Sequence, residues 1–318
     1  MSDYPYTPLP FNVTLASPLF QLSPSASNIT QGWVPSCSTP DCVPTASWST
    51  GSVGATLAFQ YWGSDVAFDG NVKGNMSVEF LLDGVSKTWS PSTDMLFRLH
   101  GEGNDNLRLQ NLTLRVLDAA PDSELTIKQA RVNGSSFTAD VWGLDRWIIP
   151  SNDMGLRYTG FVQQPSSIQA GSQTTYVSSK AGDTMSTQFN GSALLIHGPC
   201  GPTNGLVKVK INDKEATVNT SKPIPSDDCL IFQSWGFPST AMHELRVENV
   251  DGAALGINRV EFFLVSPYVN KGNSRDPGGA LVAGIVIVVV FTVLAVIIIT
   301  FRFKKKKMVV RQTKLAYS

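Results

Sequence analysis

The chain contains 318 residues, of which 25 are basic and 25 are acidic, so its formal net charge at neutral pH is zero. Its apolar share of 42% is normal for a globular protein, and its length is sufficient for two ordinary domains. The charge balance excludes a strongly basic nucleic-acid-binding protein, and we expect neither a nucleic-acid partner nor a cofactor.

Residues 1–30 are rich in Pro, Ser, Thr and Asn, which predicts an N-terminal arm that is either loose or docked as an edge strand. No Lys or Arg precedes Lys73, and prolines interrupt the opening, so no signal-peptide core is evident. Two explanations stay open: either the true start lies upstream, or an anchor further along the chain translocates the residues before it.

Two stretches of the chain align with each other without a gap. Residues 54–70 match residues 182–198, and the identical pairs include three glycines in each stretch. Three later segments, at 78–84, 112–116 and 125–132, match those at 207–213, 245–249 and 255–262. Because the offset stays close to 130 residues, we infer two copies of one unit.

We expect the two copies to form modules at residues 31–145 and 155–268. Each copy has short runs of alternating apolar residues bounded by turn residues, which is typical of antiparallel strands. Asp83-Gly84 and Asn212-Asp213 suit hairpin turns. The pattern predicts a mainly β fold of two tandem antiparallel sandwiches. The side chains expected to point inward are Leu57, Phe59, Tyr61, Val66 and Phe68, and in the second copy Met185, Thr187, Phe189, Leu194 and Ile196.

These motifs resemble the galactose-binding-like jelly roll. The resemblance rests on the strand pairs around Gly63-Ser64 and Gly191-Ser192, on the Asp83-Gly84 hairpin and on the later alternating strands. It covers most of residues 31–268. In particular, the chain is similar to the tandem ectodomains of uncharacterised single-pass membrane proteins of fungi. The resemblance implies a jelly-roll-like fold, and carbohydrate binding as a candidate role that a fold alone does not establish.

The four cysteines fall into two groups. Cys37 and Cys42 are separated by four residues that include a proline, with no histidine beside them, which favours a small disulfide loop over a zinc site. Cys200 and Cys229 have no counterparts in the first copy. Among the possible pairings, we expect disulfides between residues 37 and 42 and between residues 200 and 229.

Catalytic and metal-binding signatures are scarce. The three histidines, His100, His197 and His243, are far apart, and no second histidine follows His243 at the spacing of a helical metal site. The adjacent acids Asp227 and Asp228 fit a solvated turn better than an acid/base pair. We therefore predict no catalytic residue and no metal site.

Seven Asn-X-Ser/Thr motifs are present, and none has Pro in its middle position. Each motif is a weak signal alone, but their number agrees with a location outside the cytosol. The predicted N-glycosylation sites are Asn12, Asn28, Asn75, Asn111, Asn133, Asn190 and Asn219.

Trp62 is the candidate ligand-binding residue. It follows the inward series that ends at Tyr61 and precedes Gly63-Ser64, where we expect a turn. Its counterpart in the second copy is Asn190, which must be exposed if it carries a glycan. An exposed tryptophan at the matching position would offer a flat apolar surface to the face of a sugar. The alternative is that Trp62 packs on a neighbouring loop or on the second module.

Residues 280–301 are uncharged and long enough for a helix to cross a bilayer. A juxtamembrane linker at 269–279 precedes this segment, and a basic tail at 302–318 follows it. Seven of the 25 basic residues lie in the tail, which leaves 18 basic against 25 acidic residues before it. Because positive flanks stay in the cytoplasm, we expect residues 1–279 outside the cell or in a lumen, with the plasma membrane as the expected location.

The lysines of the tail can lie against anionic lipid headgroups, and a stop-transfer role explains them equally. Two pairs of small residues, Gly279 with Ala283 and Ala280 with Gly284, would permit a weak homodimer of the membrane helix.

The leading interpretation is a non-enzymatic type I membrane protein that displays two β-sandwich modules for binding or adhesion, with extracellular glycans as candidate partners. A membrane-anchored ectoenzyme that acts on glycans and a purely structural surface protein are the alternatives.

We predict that the full chain, expressed in eukaryotic cells, will lose apparent mass when it is treated with an N-glycosidase, because all seven acceptor motifs precede the membrane segment. The measurement is a gel shift. An unshifted band, together with an N-terminal tag accessible only from the cytosol, would contradict this topology.

Overall fold

The computed structural model describes residues 11–37, 39, 43, 46–63, 65–99, 108–133, 142–164, 174–238 and 240–267. In these ranges the chain forms antiparallel sheets. No helix within them has the length and apolar character needed to span a bilayer. The predicted linker, membrane segment and tail at 269–318 lie outside the described residues, so their assignment stays a prediction.

The first half of the fold contains two sheets. One has the strand order β2-β5-β10-β7-β8, and the other has the order β3-β4-β11-β6-β9, with β1 added beside β11. The strands are β1 (Phe11–Thr14), β2 (Phe20–Ser23), β3 (Val34–Pro35), β4 (Trp48–Thr50), β5 (Thr56–Gly63), β6 (Asp65–Lys73), β7 (Met76–Leu82), β8 (Val85–Ser86), β9 (Met95–Leu99), β10 (Arg108–Ala119) and β11 (Glu124–Asn133).

The second half contains sheets with the orders β13-β16-β21-β18-β19, β12-β23-β17-β20 and β14-β15-β22. Their strands are β12 (Trp142–Pro150), β13 (Arg157–Thr159), β14 (Val162–Gln164), β15 (Thr175–Ser178), β16 (Thr184–Asn190), β17 (Ala193–Cys200), β18 (Leu206–Ile211), β19 (Lys214–Asn219), β20 (Ser226–Trp235), β21 (Met242–Asn249), β22 (Leu255–Ile257) and β23 (Arg259–Pro267). We call the two halves the first sandwich and the second sandwich.

The strand order of the described residues repeats along the chain. Each strand from β1 to β10 has a counterpart in β12 to β21 with the same neighbours, and β11 corresponds to β22 and β23 together. The aligned glycines show why the sequence repeats at these positions. Gly54 and Gly182 have φ angles of 85° and 86°, a region that favours glycine. At Gly70 and Gly198, a Cβ atom would collide with a backbone oxygen of a neighbouring strand.

The segment predicted as an N-terminal arm contains the first two strands of this repeat. Among the strands of the described ranges, β1 pairs only with β11 and β2 pairs only with β5, so both lie at sheet edges, which is the second of the two forms expected for the arm. β12 runs across the predicted module limit at residue 145 and pairs with β23. The limits at 31–145 and 155–268 therefore do not coincide with the sheet boundaries, which lie before β1 and before β12.

The alternating pattern places the predicted side chains in the cores. All ten residues predicted to point inward are buried, including Leu57, Tyr61 and Phe189. The hairpin at Asp83-Gly84 joins β7 to β8, and both residues have positive φ angles, of 51° and 78°. This is the backbone geometry that an Asp-Gly hairpin turn requires.

The two sandwiches share a buried apolar contact. The outer face of the β17, β20 and β23 sheet contributes Leu195, Leu230 and Phe263 to the same buried cluster as Phe20 and the rest of the first core. The Ser17 hydroxyl donates a hydrogen bond of 2.6 Å to the carbonyl oxygen of Leu230 within this contact. The second sandwich has its own core between its sheets.

The predicted disulfide between Cys200 and Cys229 is confirmed, and it joins β17 to β20 at the edge of the shared contact. The two Cα atoms are 6.0 Å apart, and both residues are buried. The Sγ atom of Cys200 lies 3.0 Å from the carbonyl oxygen of Ala16, in the first sandwich. Cys37 is also disulfide-bonded, but its predicted partner Cys42 lies outside the described residues.

We predict that Cys229→Ser will lower the free energy of unfolding by about 3 kcal/mol, because the bond closes a loop of 29 residues in the unfolded chain. Chemical unfolding without reductant measures the change. Cys200→Ser should destabilise the chain equally, and the double variant no further, since both changes remove one bond. Additive losses would show that the thiols contribute separately.

Candidate functional site

A groove of about 680 Å³ lies between the two sandwiches and is the candidate functional site. One side is formed by the outer face of β5 with the edge strand β2, and the opposite side by β19, the following turn and β20. The side chains that give the groove its chemistry are Gln21, Gln60, Trp62, Asn219, Lys222 and Gln233. Ligand sites of small molecules have volumes of roughly 300 to 1,000 Å³, so the groove has an appropriate size.

Trp62 lines this groove. Tyr61 and Trp62 are successive residues of β5 and point to opposite faces of the sheet, so Tyr61 enters the core while Trp62 faces the second sandwich. Leu109, its cross-strand neighbour on β10, widens the apolar surface. Trp62 is half-buried, whereas its counterpart Asn190 is exposed. Both positions lie in strands rather than in the expected turn, Trp62 in β5 and Asn190 at the end of β16.

Amide groups connect the two sides of the groove. The buried Gln233 side chain donates a hydrogen bond of 3.2 Å from Nε2 to the backbone oxygen of Gln60. The Gln60 side chain in turn donates from Nε2 to Oδ1 of Asn111 over 2.8 Å. The bond to Asn111 orients the Gln60 side-chain amide, so its oxygen has a defined position as an acceptor.

Lys222 lies in the turn between β19 and β20 and is largely buried. Its Nζ atom donates a hydrogen bond of 2.9 Å to the backbone oxygen of Phe20 on β2. Burial lowers the pKa of Lys222 to about 8. No sequence motif selects Lys222, Gln60 or Gln233. The one available signal is that Lys222 is the single charged residue between Glu215 and Asp227.

A network of charged side chains lies on the outer face of the β23 sheet. Glu261, which is only 2% exposed, accepts hydrogen bonds of 2.6 Å from Arg146 and 2.9 Å from Arg259. Arg259 also donates two bonds of 2.7 Å to Asp228, and one of 2.9 Å to Nδ1 of His197. A guanidinium can only donate, so Nδ1 accepts and the His197 proton is on Nε2. Each charge of the network has an opposite partner, as expected of a structural cluster.

The histidines are not brought together. His243 is buried between Phe189 and Phe237, and its ring nitrogens contact Asn212 and the carbonyl oxygen of Pro238. His197 belongs to the charged network on another sheet, and His100 lies outside the described residues. Within the described ranges, no cluster of His, Cys, Asp or Glu has the composition of a metal site.

A second concave surface, of about 290 Å³, lies on the outer face of the β21 sheet. It is lined by Lys208, Lys210, Glu215, Arg246 and Glu248. Glu248 is 3.4 Å from Lys208 and 3.6 Å from Arg246, so the charges largely pair with each other. With no aromatic residue in its lining, this surface is a weaker candidate than the groove.

The glycosylation motifs lie at the surface where the structure describes them. The side chains of Asn12, Asn28, Asn75, Asn111, Asn190 and Asn219 are exposed, and that of Asn133 lies outside the described set. Asn219 lines the groove. Exposure is required for modification but does not establish it, so the seven sites stay predictions.

No known protein family and no curated protein matches the chain. Among solved structures, it is similar to a xanthan lyase of Paenibacillus, with 12% identity and a TM-score of 0.29, over 84% of this chain and 27% of the lyase. The chain thus spans about a quarter of the lyase.

Two further similar structures were found. The plant peptide RALF23 complex with FER and LLG2 matches at 9% identity and a TM-score of 0.27, over 70% of this chain and 83% of the other. The CBM22-1–CBM22-2 tandem domain from Paenibacillus barcinonensis matches at 10% identity and a TM-score of 0.25, over 70% of this chain and 87% of the tandem domain. At these scores the likenesses establish neither a family nor a function, and the resemblance to fungal membrane proteins stays a prediction.

We predict that the chain will lose stability on acidification from pH 6.5 to about pH 4. Burial, followed by the positive charge of Arg259, lowers the pKa of His197 to about 4 from the ordinary 6.5. Between these values the unfolded chain binds a proton that the folded chain does not, so the free energy of unfolding should fall by roughly 2 to 3 kcal/mol. Urea unfolding at a series of pH values measures this loss, and His197→Gln should reduce it.

Glu261 should change the free energy of unfolding in a lower pH range than His197 does. Burial would raise the pKa of its carboxyl, but the hydrogen bonds from Arg259 and Arg146 and the nearby positive charges outweigh burial and lower it. Its contribution to stability is therefore complete above the ordinary value of 4.5 and is lost as the pH falls below it.

For the His197 prediction, an unchanged slope of the free energy of unfolding against pH, between pH 6.5 and 4, in the His197→Gln chain would show that His197 is not the group responsible.

Proposed function

We propose that the chain is a non-enzymatic cell-surface protein that binds a glycan in the groove between its two sandwiches. The single observation that carries this proposal is the position of Trp62, whose indole lines the groove beside the oriented amide of Gln60.

The chemistry of the groove supports a sugar as the ligand. A sugar ring has a face of C–H groups that can lie against an aromatic ring, and an edge of hydroxyls that need hydrogen-bonding partners. Trp62 and Leu109 supply the apolar surface, while Gln21 and Gln60 supply amide groups that both donate and accept. Such amides match hydroxyls, which have the same dual character.

The finer description of the protein belongs to the same proposal. We infer that the two halves are jelly-roll-like modules, that residues 280–301 anchor them in a membrane, and that the groove faces the outside of the cell. The uncharged segment and the basic tail that follows it support the anchor.

We predict that Trp62→Ala will weaken glycan binding at least tenfold and will lower the free energy of unfolding by about 2 to 3 kcal/mol, because most of the indole surface is buried against the groove. The full chain, solubilised in detergent, is first applied to a glycan array, and the affinity for the best ligand is then measured for both forms.

Trp147→Ala provides the matched control. Trp147 is 44% exposed and lies on the edge strand β12, and it does not line the groove. The Trp147→Ala chain should bind the same glycan as tightly as the unaltered chain does. Equal losses in the two variants, or no array ligand at all, would contradict the proposal. Cleavage of the bound glycan during incubation would indicate an ectoenzyme instead.

A further inference from the structure

The groove contains a charge that the residues around it do not balance. Of the described residues that line it, Lys222 is the only charged one. Its ammonium donates to the Phe20 carbonyl, and it has no carboxylate partner among the described residues. All other polar groups in the lining are amides, hydroxyls and backbone atoms. The one formal charge among the described lining residues of the groove is therefore positive.

An ammonium group in this position is costly for the fold. Removing a charge from water without a counter-ion is unfavourable, and the lowered pKa of Lys222 expresses this penalty. Holding the Phe20 carbonyl would require only a neutral donor, such as the amide of a glutamine. An ammonium has three N–H groups, so two of them can still bond to an anion that enters the groove.

We propose that the groove selects an anionic sugar, whose carboxylate binds the Lys222 ammonium while its ring lies against Trp62. This inference rests on the glycan-binding role proposed above and adds the class of the sugar. The uncharged amides of the groove would then recognise the hydroxyls, and Lys222 would discriminate an acidic sugar from its neutral analogue.

The test uses pairs of oligosaccharides that differ in one charge. A hyaluronan disaccharide, which carries one carboxylate, is compared with its methyl ester, and sialyllactose is compared with its methyl ester, with the full chain in detergent at pH 7. In at least one pair the acidic member should bind about 10-fold to 100-fold more tightly, the range expected for one charged hydrogen bond. Inorganic sulfate and phosphate are offered alone, and binding as tight as that of the acidic sugar would overturn the assignment of a sugar.

Two variants of Lys222 separate charge from structure. Lys222→Gln keeps a donor for the Phe20 carbonyl but loses the charge, so the ratio of the two affinities, acidic over neutral, should fall to about one. Lys222→Arg keeps the charge and should keep the preference. In the unaltered chain the preference should shrink between pH 7 and pH 9.5, as Lys222 loses its proton, and in the Lys222→Arg chain it should not.

The outcomes distinguish this inference from the proposal on which it rests. If a sugar binds in a manner that depends on Trp62 but the acidic and neutral members bind equally, only the anionic class is wrong. If no member of either pair binds and Trp62→Ala changes nothing, both proposals are wrong. A preference that survives Lys222→Gln would assign the selectivity to another residue and overturn the role of Lys222.

Discussion

A buried apolar contact between the two sandwiches is the constraint on which the rest of the structure depends. Leu195, Leu230 and Phe263 lie on the outer face of a sheet, a position that would be exposed in an isolated sandwich. Here they are buried in one cluster with the core of the first sandwich. The hydrogen bonds of Gln233 and Lys222 to the first sandwich lie beside this cluster. The groove exists because this contact sets the two sides at a fixed separation.

The two copies share a strand order but differ where the candidate function lies. Trp62 is replaced by Asn190 in the second copy, and the disulfide between Cys200 and Cys229 has no equivalent in the first. The contact uses the outer face of one sheet in the second sandwich and the edge strands of the first, so the copies meet through non-equivalent surfaces. The copies therefore share a scaffold and differ at Trp62, the residue on which the candidate site depends.

The sequence predicted the features that follow local rules. Alternating apolar residues specify which face of a strand is buried, and Asp83-Gly84 specifies a hairpin, because both depend on neighbouring residues in the chain. The sequence comparison did not identify β1 and β12 as equivalent strands. They occupy the same position in the strand order of the two copies but have no identical residues that align. The sequence of an edge strand is less constrained than that of a central strand. The equivalence of two edge strands is therefore shown by which strands they pair with in the structure.

The groove could not be predicted for a different reason. Gln60, Lys222 and Gln233 come from three distant parts of the chain and meet only when one sandwich docks on the other. No periodicity encodes that docking. Comparison of the two copies selected Trp62 as a candidate. It could not predict the surroundings of Trp62, because the residues across the groove from it belong to the second copy.

The shared core also bears on the thermodynamics of binding. In many two-domain receptors a ligand must order two bodies relative to each other, and the lost freedom of the domains opposes association. Here the sides of the groove belong to one packed body, so that ordering is complete before a ligand arrives. The groove is thus preorganised, and the affinity of the proposed ligand would depend on the complementarity of the lining rather than on domain closure.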